Sequence, residues 1–216
     1  SARPTFDGSH LGDPPARMER SAPSNHPMTN ALSLLQQRHS VPARQLGEPA
    51  PDDATLHTLL EAAIRVPDHG KLVPFRLILL RDEAKLAFGE QVTAIGIRNN
   101  PAMIGAKLEK ERHRYTFAPL VVAVVARIDP DSKVPEIEQK LCTGNVAYNI
   151  LLGAFALGYG AQWLTGWAAY DREVAALLGL DADEHVVGFV HLGTPQVEVP
   201  DRDRPALADL LTTWMP

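Results

Sequence analysis

The chain has 216 residues, of which 45% are hydrophobic and 22% are charged, and this is the composition of an ordinary globular protein with one domain or at most two small ones. Its formal net charge of -5 excludes a global basic field that would attract nucleic acid or an anionic membrane. A single cysteine, Cys142, excludes an intrachain disulfide framework, and we expect a cytoplasmic protein.

The first 27 residues differ in composition from the remainder. They are rich in Pro, Ser, Gly, Arg and Asp and contain almost no aliphatic side chains. Because they lack the apolar region of a secretory signal, we interpret residues 1–27 as a disordered arm or a remnant of expression, with Met28 as an alternative start. Residues 28–216 are then expected to form a single domain.

Predicted helices and strands alternate from residue 30 onward. The spacing of apolar residues predicts helices over about 30–37, 53–65, 82–92, 135–157 and 171–178, and strands over 75–80, 120–128, 160–165 and 186–192. The β-branched run at 120–128 is typical of a central strand covered on both faces. The mixed-charge stretch 95–114 has no clear pattern. This order of elements predicts an α+β or α/β fold.

Residues 141–170 contain no charged side chain, which raises the question of a membrane span. The stretch includes Asn145, Asn149 and Gln162, and it is interrupted by Gly158-Tyr159-Gly160. We therefore predict a buried helix followed by a buried strand. The apolar segment 206–214 follows a polar extension, and we expect it to dock on a second copy of the chain, as in a homodimer with exchanged termini.

Two basic clusters follow predicted helices. Arg38-His39-Ser40 places two donors and a hydroxyl together, and residues 65–71 form a turn that contains Arg65, His69 and Lys71. Arginine is suited to phosphate, so both clusters are candidate anion sites. The alternative for each is a solvated helix end, where basic residues are favoured by the helix dipole.

A third candidate is the glycine-bounded strand at 158–167, which carries Trp163 and Trp167. Glycines allow a flat ligand to approach the backbone, and aromatic faces suit a heterocycle, although tight core packing is an equal alternative. We interpret Asp183-Glu184-His185 as a polar turn and expect no metal site. The sequence has no Walker A motif, no G-x-S-x-G, no H-E-x-x-H and no cysteine pair, and we expect Cys142 to be an inert buried thiol.

In their shared order, these motifs resemble the FMN-dependent nitroreductase family, in particular its compact branch of NAD(P)H nitroreductases. The resemblance extends over about 28–195, and the motifs that carry it are Arg38-His39-Ser40, Arg65-x-Pro67-Asp68-His69, Val73-Pro74-Phe75, the strand 120–126, Trp163-Leu164-Thr165-Gly166 and Leu192-Gly193-Thr194-Pro195. It implies an α+β, nitroreductase-like fold with a central mixed β-sheet flanked by helices, and an intertwined homodimer with FMN at the subunit interface.

The resemblance also assigns residues to ligands. FMN would be bound by Arg38, His39, Ser40, Trp163, Leu164 and Thr165 of one chain and by Arg65 and His69 of the other. The nicotinamide cofactor would contact the end of the uncharged helix, namely Gly153, Ala154, Phe155, Ala156, Leu157 and Gly158. The family often has Gln-Pro-Trp at residues 73–75, and its compact branch has a basic residue at position 164. Phosphate binding is therefore expected to depend on Arg38, Arg65 or Lys71.

The implied activity is that of an FMN-dependent oxidoreductase. NAD(P)H, as co-substrate, would reduce the flavin, which would then reduce a small-molecule acceptor such as a nitroaromatic or a quinone in a ping-pong hydride transfer. The flavin itself supplies the redox chemistry, so no catalytic side chain is expected. Two alternatives remain at this point. One is a flavin-binding or sequestering protein without substantial turnover, and the other is a dimeric interaction module that has lost its cofactor.

Overall fold

The computed structural model of the chain describes residues 30–216. The predicted disordered arm or expression remnant at 1–27 lies outside the described residues. The first described element is helix α1 (Asn30–Gln37), which has the predicted bounds.

Five further helices and five strands follow α1 in the described part of the chain. The helices are α2 (Asp53–Ala63), α3 (Glu83–Asn99), α4 (Gly105–Arg112), α5 (Glu136–Ala156) and α6 (Arg172–Leu177). The strands are β1 (Leu46–Gly47), β2 (Phe75–Arg81), β3 (Leu120–Arg127), β4 (Gly160–Leu164) and β5 (Glu184–Pro195). This arrangement confirms the predicted α+β class.

The five strands form one sheet around β5, which pairs with β1, β3 and β4, while β2 extends the sheet beyond β3. The expected mixed sheet is corrected by the structure, because every pairing between the described strands is antiparallel. Strands β3 and β4, which α5 connects, do run in the same direction. They are not neighbours, however, because β5 lies between them and pairs antiparallel with each.

The sheet is covered on both faces. Helices α2 and α5 cover the first face, where their apolar side chains pack on alternate residues of β3 and on Val190 and Leu192 of β5. Helices α3 and α6 cover the second face, which includes Tyr115 and Phe189. All of β3 except its last residue is buried, as the β-branched run predicts.

Two aspartates fix the starts of helices. The carboxylate of Asp52 accepts from the backbone N–H of Thr55 (2.8 Å) at α2. Asp171, the predicted cap of α6, accepts from the N–H groups of Glu173 and Val174 (2.9 and 3.1 Å). Within the described range, no helix combines the length and the hydropathy needed to cross a membrane.

Candidate functional site

The turn after α1 presents Arg38 with an unused charged donor. The half-buried guanidinium group lies over the ring of Tyr148 on α5, with its central carbon 5.8 Å from the ring centroid. Its Nη1 is buried and has no hydrogen-bond partner among residues 30–216. Because an unpaired buried charged donor is costly, this turn is suited to an anion that approaches from outside. Ser40 is exposed at the same turn.

A second arginine, which sequence analysis missed, lies beside Arg38. Nη2 of Arg204 donates to the backbone carbonyl of Arg38 (3.4 Å), and Asp201 pairs with the same guanidinium group. The C-terminal extension therefore returns to the turn after α1. A separation of 166 residues hides this contact from local patterns. The alternation of Asp and Arg at 201–204 was the one available signal.

His39 is brought together with the end of α5. Its ring packs edge-on against Phe155, with 6.0 Å between ring centroids, and both residues line a cavity of about 300 Å³ that Gly158 also borders. One predicted flavin residue thus adjoins the predicted nicotinamide segment. The segment is not uniformly accessible, because Ala154 is buried, Gly153 packs on the side chain of Leu59, and Ala156 and Leu157 are exposed.

The chain after Ser40 runs along β4. The backbone N–H of Val41 donates to the carbonyl of Ala161 (3.1 Å), and the N–H of Ala43 donates to Oε1 of Gln162 (2.7 Å). These bonds place the turn at 38–40 near the strand that carries the other predicted flavin residues.

Those flavin residues of β4 and its end are partly accessible. Nε1 of Trp163 donates to the carbonyl of Val187 (3.2 Å), which fixes the indole ring against β5. Trp163, Leu164 and Thr165 are all half-buried. They therefore keep surface available for a ligand after they have packed within the chain.

Arg65 and His69 lie elsewhere. His69 is exposed, and its Nδ1 is 2.6 Å from Oε2 of Glu138 in the first turn of α5. Asp68 holds the following loop, because its carboxylate accepts from the N–H groups of Leu72 and Val73 (3.2 and 2.9 Å). Gly70 (φ 72°) and Val73 (φ 50°) both have left-handed backbone conformations, which is rare for a β-branched residue and indicates local strain. Arg65 is exposed.

One chain does not bring His39 and His69 together. His69 lies beside Glu138 at the start of α5, and His39 lies beside Phe155 at its end. Seventeen residues of one helix separate Glu138 from Phe155, which is about 25 Å at 1.5 Å per residue. Arg38 and Arg65 lie between these ends, because Arg38 contacts Tyr148 and Arg65 closely follows Ala63, whose carbonyl accepts from Asn149.

Displaced pKa values mark structural groups in this chain. The hydrogen bonds from Arg76 (2.6 and 2.8 Å) lower the pKa of Glu184 to about 2. Burial raises the pKa of Cys142, a free thiol enclosed in α5, so its unreactive protonated form is favoured, as predicted.

The prediction of a polar turn at residues 183–185 is corrected by the structure, since Glu184 and His185 already belong to β5.

Comparison with known proteins identifies close relatives. The family model described as "Nitroreductase family" matches residues 35–194. The protein named "Putative NAD(P)H nitroreductase YdjA" from Escherichia coli K12 is 32% identical over 171 residues, which cover 78% of this chain and 90% of that protein. A protein from Haemophilus influenzae with the same description is 34% identical over 166 residues, covering 76% and 88% of the two chains.

Solved structures share the fold. A nitroreductase-like family protein from Bacillus cereus is 20% identical with a TM-score of 0.71, and the match covers 88% of this chain and 98% of that one. A protein from Desulfovibrio desulfuricans, crystallised in complex with FMN, is 23% identical with a TM-score of 0.68, and the match covers 88% and 100% of the two chains. These likenesses establish a common architecture.

Proposed function

The chain belongs to the nitroreductase family, and from this premise we propose that it is an FMN-dependent oxidoreductase that uses NAD(P)H to reduce nitroaromatics, quinones or related small acceptors. The printed names of the relatives and the FMN complex of a structural neighbour support this proposal. Within the chain itself, the observation that carries the proposal is the unused donor of Arg38.

The turn after α1 fits the phosphate of FMN. A phosphate monoester carries nearly two negative charges at neutral pH and accepts several hydrogen bonds. Nη1 of Arg38 offers a buried donor without a partner among the described residues, Arg204 adds a second guanidinium group at the same turn, and Ser40 adds an exposed hydroxyl. We assign these three residues to the phosphate.

Strand β4 fits the flat ring system. FMN, when bound, supplies the hydride chemistry between the nicotinamide and the acceptor. The edge of β4 at Trp163, Leu164 and Thr165 would form a wall for the ring, with the side chains of Trp163 and Leu164 on opposite faces of the sheet. Trp163 is held in place by its bond to Val187. The cavity between His39 and Phe155 would admit the nicotinamide cofactor near the end of α5. Both substrates would use this open side in turn, which corresponds to ping-pong kinetics.

We propose that the site is completed by a second copy of the chain. His69 lies about 25 Å along α5 from His39, too far for both to contact the same flavin ring from one chain. His69 reaches it only if a partner places the first end of its α5 near His39. The functional unit would therefore be a homodimer with two shared FMN sites.

Exposed apolar residues support this homodimer. Large apolar side chains are exposed on α1, on the outer side of α5 and in the C-terminal segment, and exposed patches of this kind mark interaction surfaces. They are Leu32, Leu35, Ile137, Leu141, Leu207, Leu210, Leu211, Trp214 and Met215. The C-terminal residues are between 66% and 82% exposed, and burying each one on a partner would contribute about 1.5–3 kcal/mol.

A flavin titration tests the proposal. We expect the affinity of Arg38→Ala for FMN to fall about ten- to a hundred-fold, because a charged hydrogen bond contributes about 1.5–3 kcal/mol. Arg98→Ala is the matched control, since Arg98 pairs with Glu173 on the surface of α3 and α6 and touches none of the proposed site residues. Equal affinity in the two variants would contradict the assignment of Arg38.

Absorbance separates the proposed enzyme from the two alternatives. A yellow protein that NAD(P)H bleaches and an acceptor recolours is the proposed oxidoreductase. A yellow protein that NAD(P)H leaves unchanged is a flavin-sequestering protein, and a colourless protein that rejects added FMN is an interaction module.

Subunit mixing tests the shared site. One inactive variant carries Arg38→Ala, and the other carries both Arg65→Ala and His69→Ala. After subunit exchange, we expect about a quarter of the wild-type activity, because half of the dimers are mixed and each of these has one intact site. Mass spectrometry confirms the exchange. Mixed dimers without activity would show that the two groups do not serve one site.

A further inference from the structure

A basic cavity lies beside the proposed flavin wall, on the second face of the sheet. It has a volume of about 230 Å³ and is lined by Arg44, Lys110, Arg114, Phe117 and Leu164, among others. Leu164 is thus shared between this cavity and the predicted flavin residues. The cavity is not visible in the sequence, because its basic residues come from two separate segments, Arg44 and residues 110–114.

The cavity carries an excess of positive charge. Three basic side chains and no carboxylate line it. Arg114 is compensated, because its Nη2 donates to Oε1 of the buried Glu111 (3.1 Å), while Oε2 of Glu111 accepts from Trp167 (3.2 Å). Arg44 and Lys110 form no ion pair with any residue in the described part of the chain. About two positive charges therefore remain for a ligand.

The walls of the cavity favour a ligand that has an apolar body as well as an anionic group. The guanidinium group of Arg44 lies over the ring of Phe117, with its central carbon 4.5 Å from the ring centroid. Pro42, Phe117 and Leu164 supply apolar surface. Nε of Arg114 is buried and has no partner among residues 30–216, so one more charged donor is available beneath the cavity.

We propose that this cavity binds a carboxylate or phosphate group of a substrate and thereby directs the enzyme toward anionic substrates. The inference rests on the proposed function, because Leu164 places the cavity beside the proposed flavin position. The anionic group could belong to the acceptor, as an aromatic carboxylate, or to the nicotinamide cofactor, as the additional phosphate of NADPH. Both use the same chemistry, in which Arg44 and Lys110 hold the anion.

The test compares anionic and neutral ligands of the same shape. The variant carries Arg44→Gln and Lys110→Gln, whereas Arg114 is left intact because Glu111 depends on it. The control is Lys107→Gln, since Lys107 lies one turn earlier on α4 and borders a different cavity. The probes are 4-nitrobenzoate against 4-nitrobenzyl alcohol, and NADPH against NADH. Calorimetric binding is measured with and without FMN, and KM is measured for each probe.

We expect the Kd and KM of at least one anionic probe to rise about ten- to a hundred-fold in the double variant while its neutral counterpart is unchanged. A loss confined to 4-nitrobenzoate identifies the acceptor as the source of the anion, and a loss confined to NADPH identifies the cofactor. Equal values for wild type and variant with all four probes overturn the proposal. Loss of FMN itself also overturns it, because the cavity then serves the flavin. A wild-type protein that does not bind added FMN contradicts the proposed function, whereas calorimetry with 4-nitrobenzoate still tests the cavity.

Discussion

The two faces of the sheet differ in how they treat buried polar groups. On the first face, the hydroxyl of Thr143 donates to the carbonyl of Pro74 (2.7 Å), and Nδ2 of Asn149 donates to the carbonyl of Ala63 (3.1 Å). On the second face, the hydroxyl of Tyr115 and both ring nitrogens of His191 are buried without a partner among the described residues. Thr93 and Glu111 on the second face are paired, so the difference lies in Tyr115 and His191.

The unpaired groups of Tyr115 and His191 carry a cost in stability that the paired groups of Thr143 and Asn149 do not. Buried polar groups are normally paired, and each unpaired one costs about 1–3 kcal/mol. The unpaired groups of Tyr115 and His191 lie on the same side of the sheet as the basic cavity. Arg114 lines this cavity, and its charge acts on the pKa of both side chains. We infer that α2 and α5 supply the stability that allows the second face to keep these polar side chains.

The largest expected effect concerns the pH dependence of stability at His191. Burial, together with the charges of Arg114 and Lys85, lowers the pKa of His191 to about 4. The unfolded histidine titrates near its ordinary value, so the unfolded chain binds more protons below that pH. The contribution of neutral His191 to the free energy of unfolding is therefore fully present above about pH 6.5. This contribution falls by on the order of 3 kcal/mol as the pH drops toward 4.

The measurement is denaturant unfolding between pH 7 and pH 4. We expect His191→Leu to lose less stability over this range than the wild type, and the exposed His57→Leu to behave like the wild type. Parallel pH profiles for wild type and His191→Leu would show that His191 has a partner in solution, and the contrast between the two faces would disappear.

Close packing on the first face gives the next largest effect. Gly188 of β5 lies against the indole of Trp163, and a Cβ there would overlap the ring. Gly188→Ala is expected to destabilise the fold by about 1–3 kcal/mol. A Cβ at Gly144 of α5 would lie 3.9 Å from the same indole, which is ordinary contact. Gly144→Ala is therefore expected to gain up to about 1 kcal/mol from helix propensity. Urea midpoints that shift in the same direction for both variants would disprove this packing.

The smallest effect is the most direct comparison of the faces, since one hydroxyl is removed from each. Thr143→Val loses the bond to Pro74 and should cost about 1 kcal/mol. Tyr115→Phe removes a hydroxyl that has no described partner, so its stability should be unchanged or slightly higher. Thermal unfolding of the two variants under one condition provides the measurement. An equal loss in both would mean that ordered water pairs the hydroxyl of Tyr115.

The sequence predicted elements well where burial decides them. The β-branched run of β3 gave nearly the observed bounds, because its burial acts within a few residues. The apolar spacing of α1 also gave the observed bounds, although Leu32 and Leu35 are exposed. Helix α2 ends at Ala63, two residues early, because the N–H of Arg65 bonds to the carbonyl of Ala62 in a tight turn before Pro67.

Helix α3 is longer than predicted. The helix was expected to end near Val92, before a mixed-charge stretch without a clear pattern, but it continues to Asn99. Gly89 and Gly96 lie at close contacts within it. A Cβ at Gly89 would overlap the backbone carbonyl of Arg112, and one at Gly96 would lie 3.0 Å from Trp167. These partners are distant in sequence, so no local pattern could reveal why the glycines are there.

In the candidate site too, local motifs were predicted from the sequence, whereas parts assembled by tertiary contacts were not. The turn at 38–40 and the strand with Trp163 were found from local motifs, and the structure brings them near each other. Arg204 and the basic cavity were not found, because tertiary contacts assemble them from remote segments. The assignment of individual residues to FMN and to the nicotinamide cofactor stays a prediction.

The position of β5 has a consequence for how the protein is made. This strand joins β1, β3 and β4, yet it is the last strand of the described chain to leave the ribosome. Until Pro195 has emerged, β4 and β1 have no pairing partner and β3 has one exposed edge. Exposed edges of this kind are prone to aggregation, and distant pairings form slowly. We therefore expect nascent chains that stall before residue 184 to depend on chaperones.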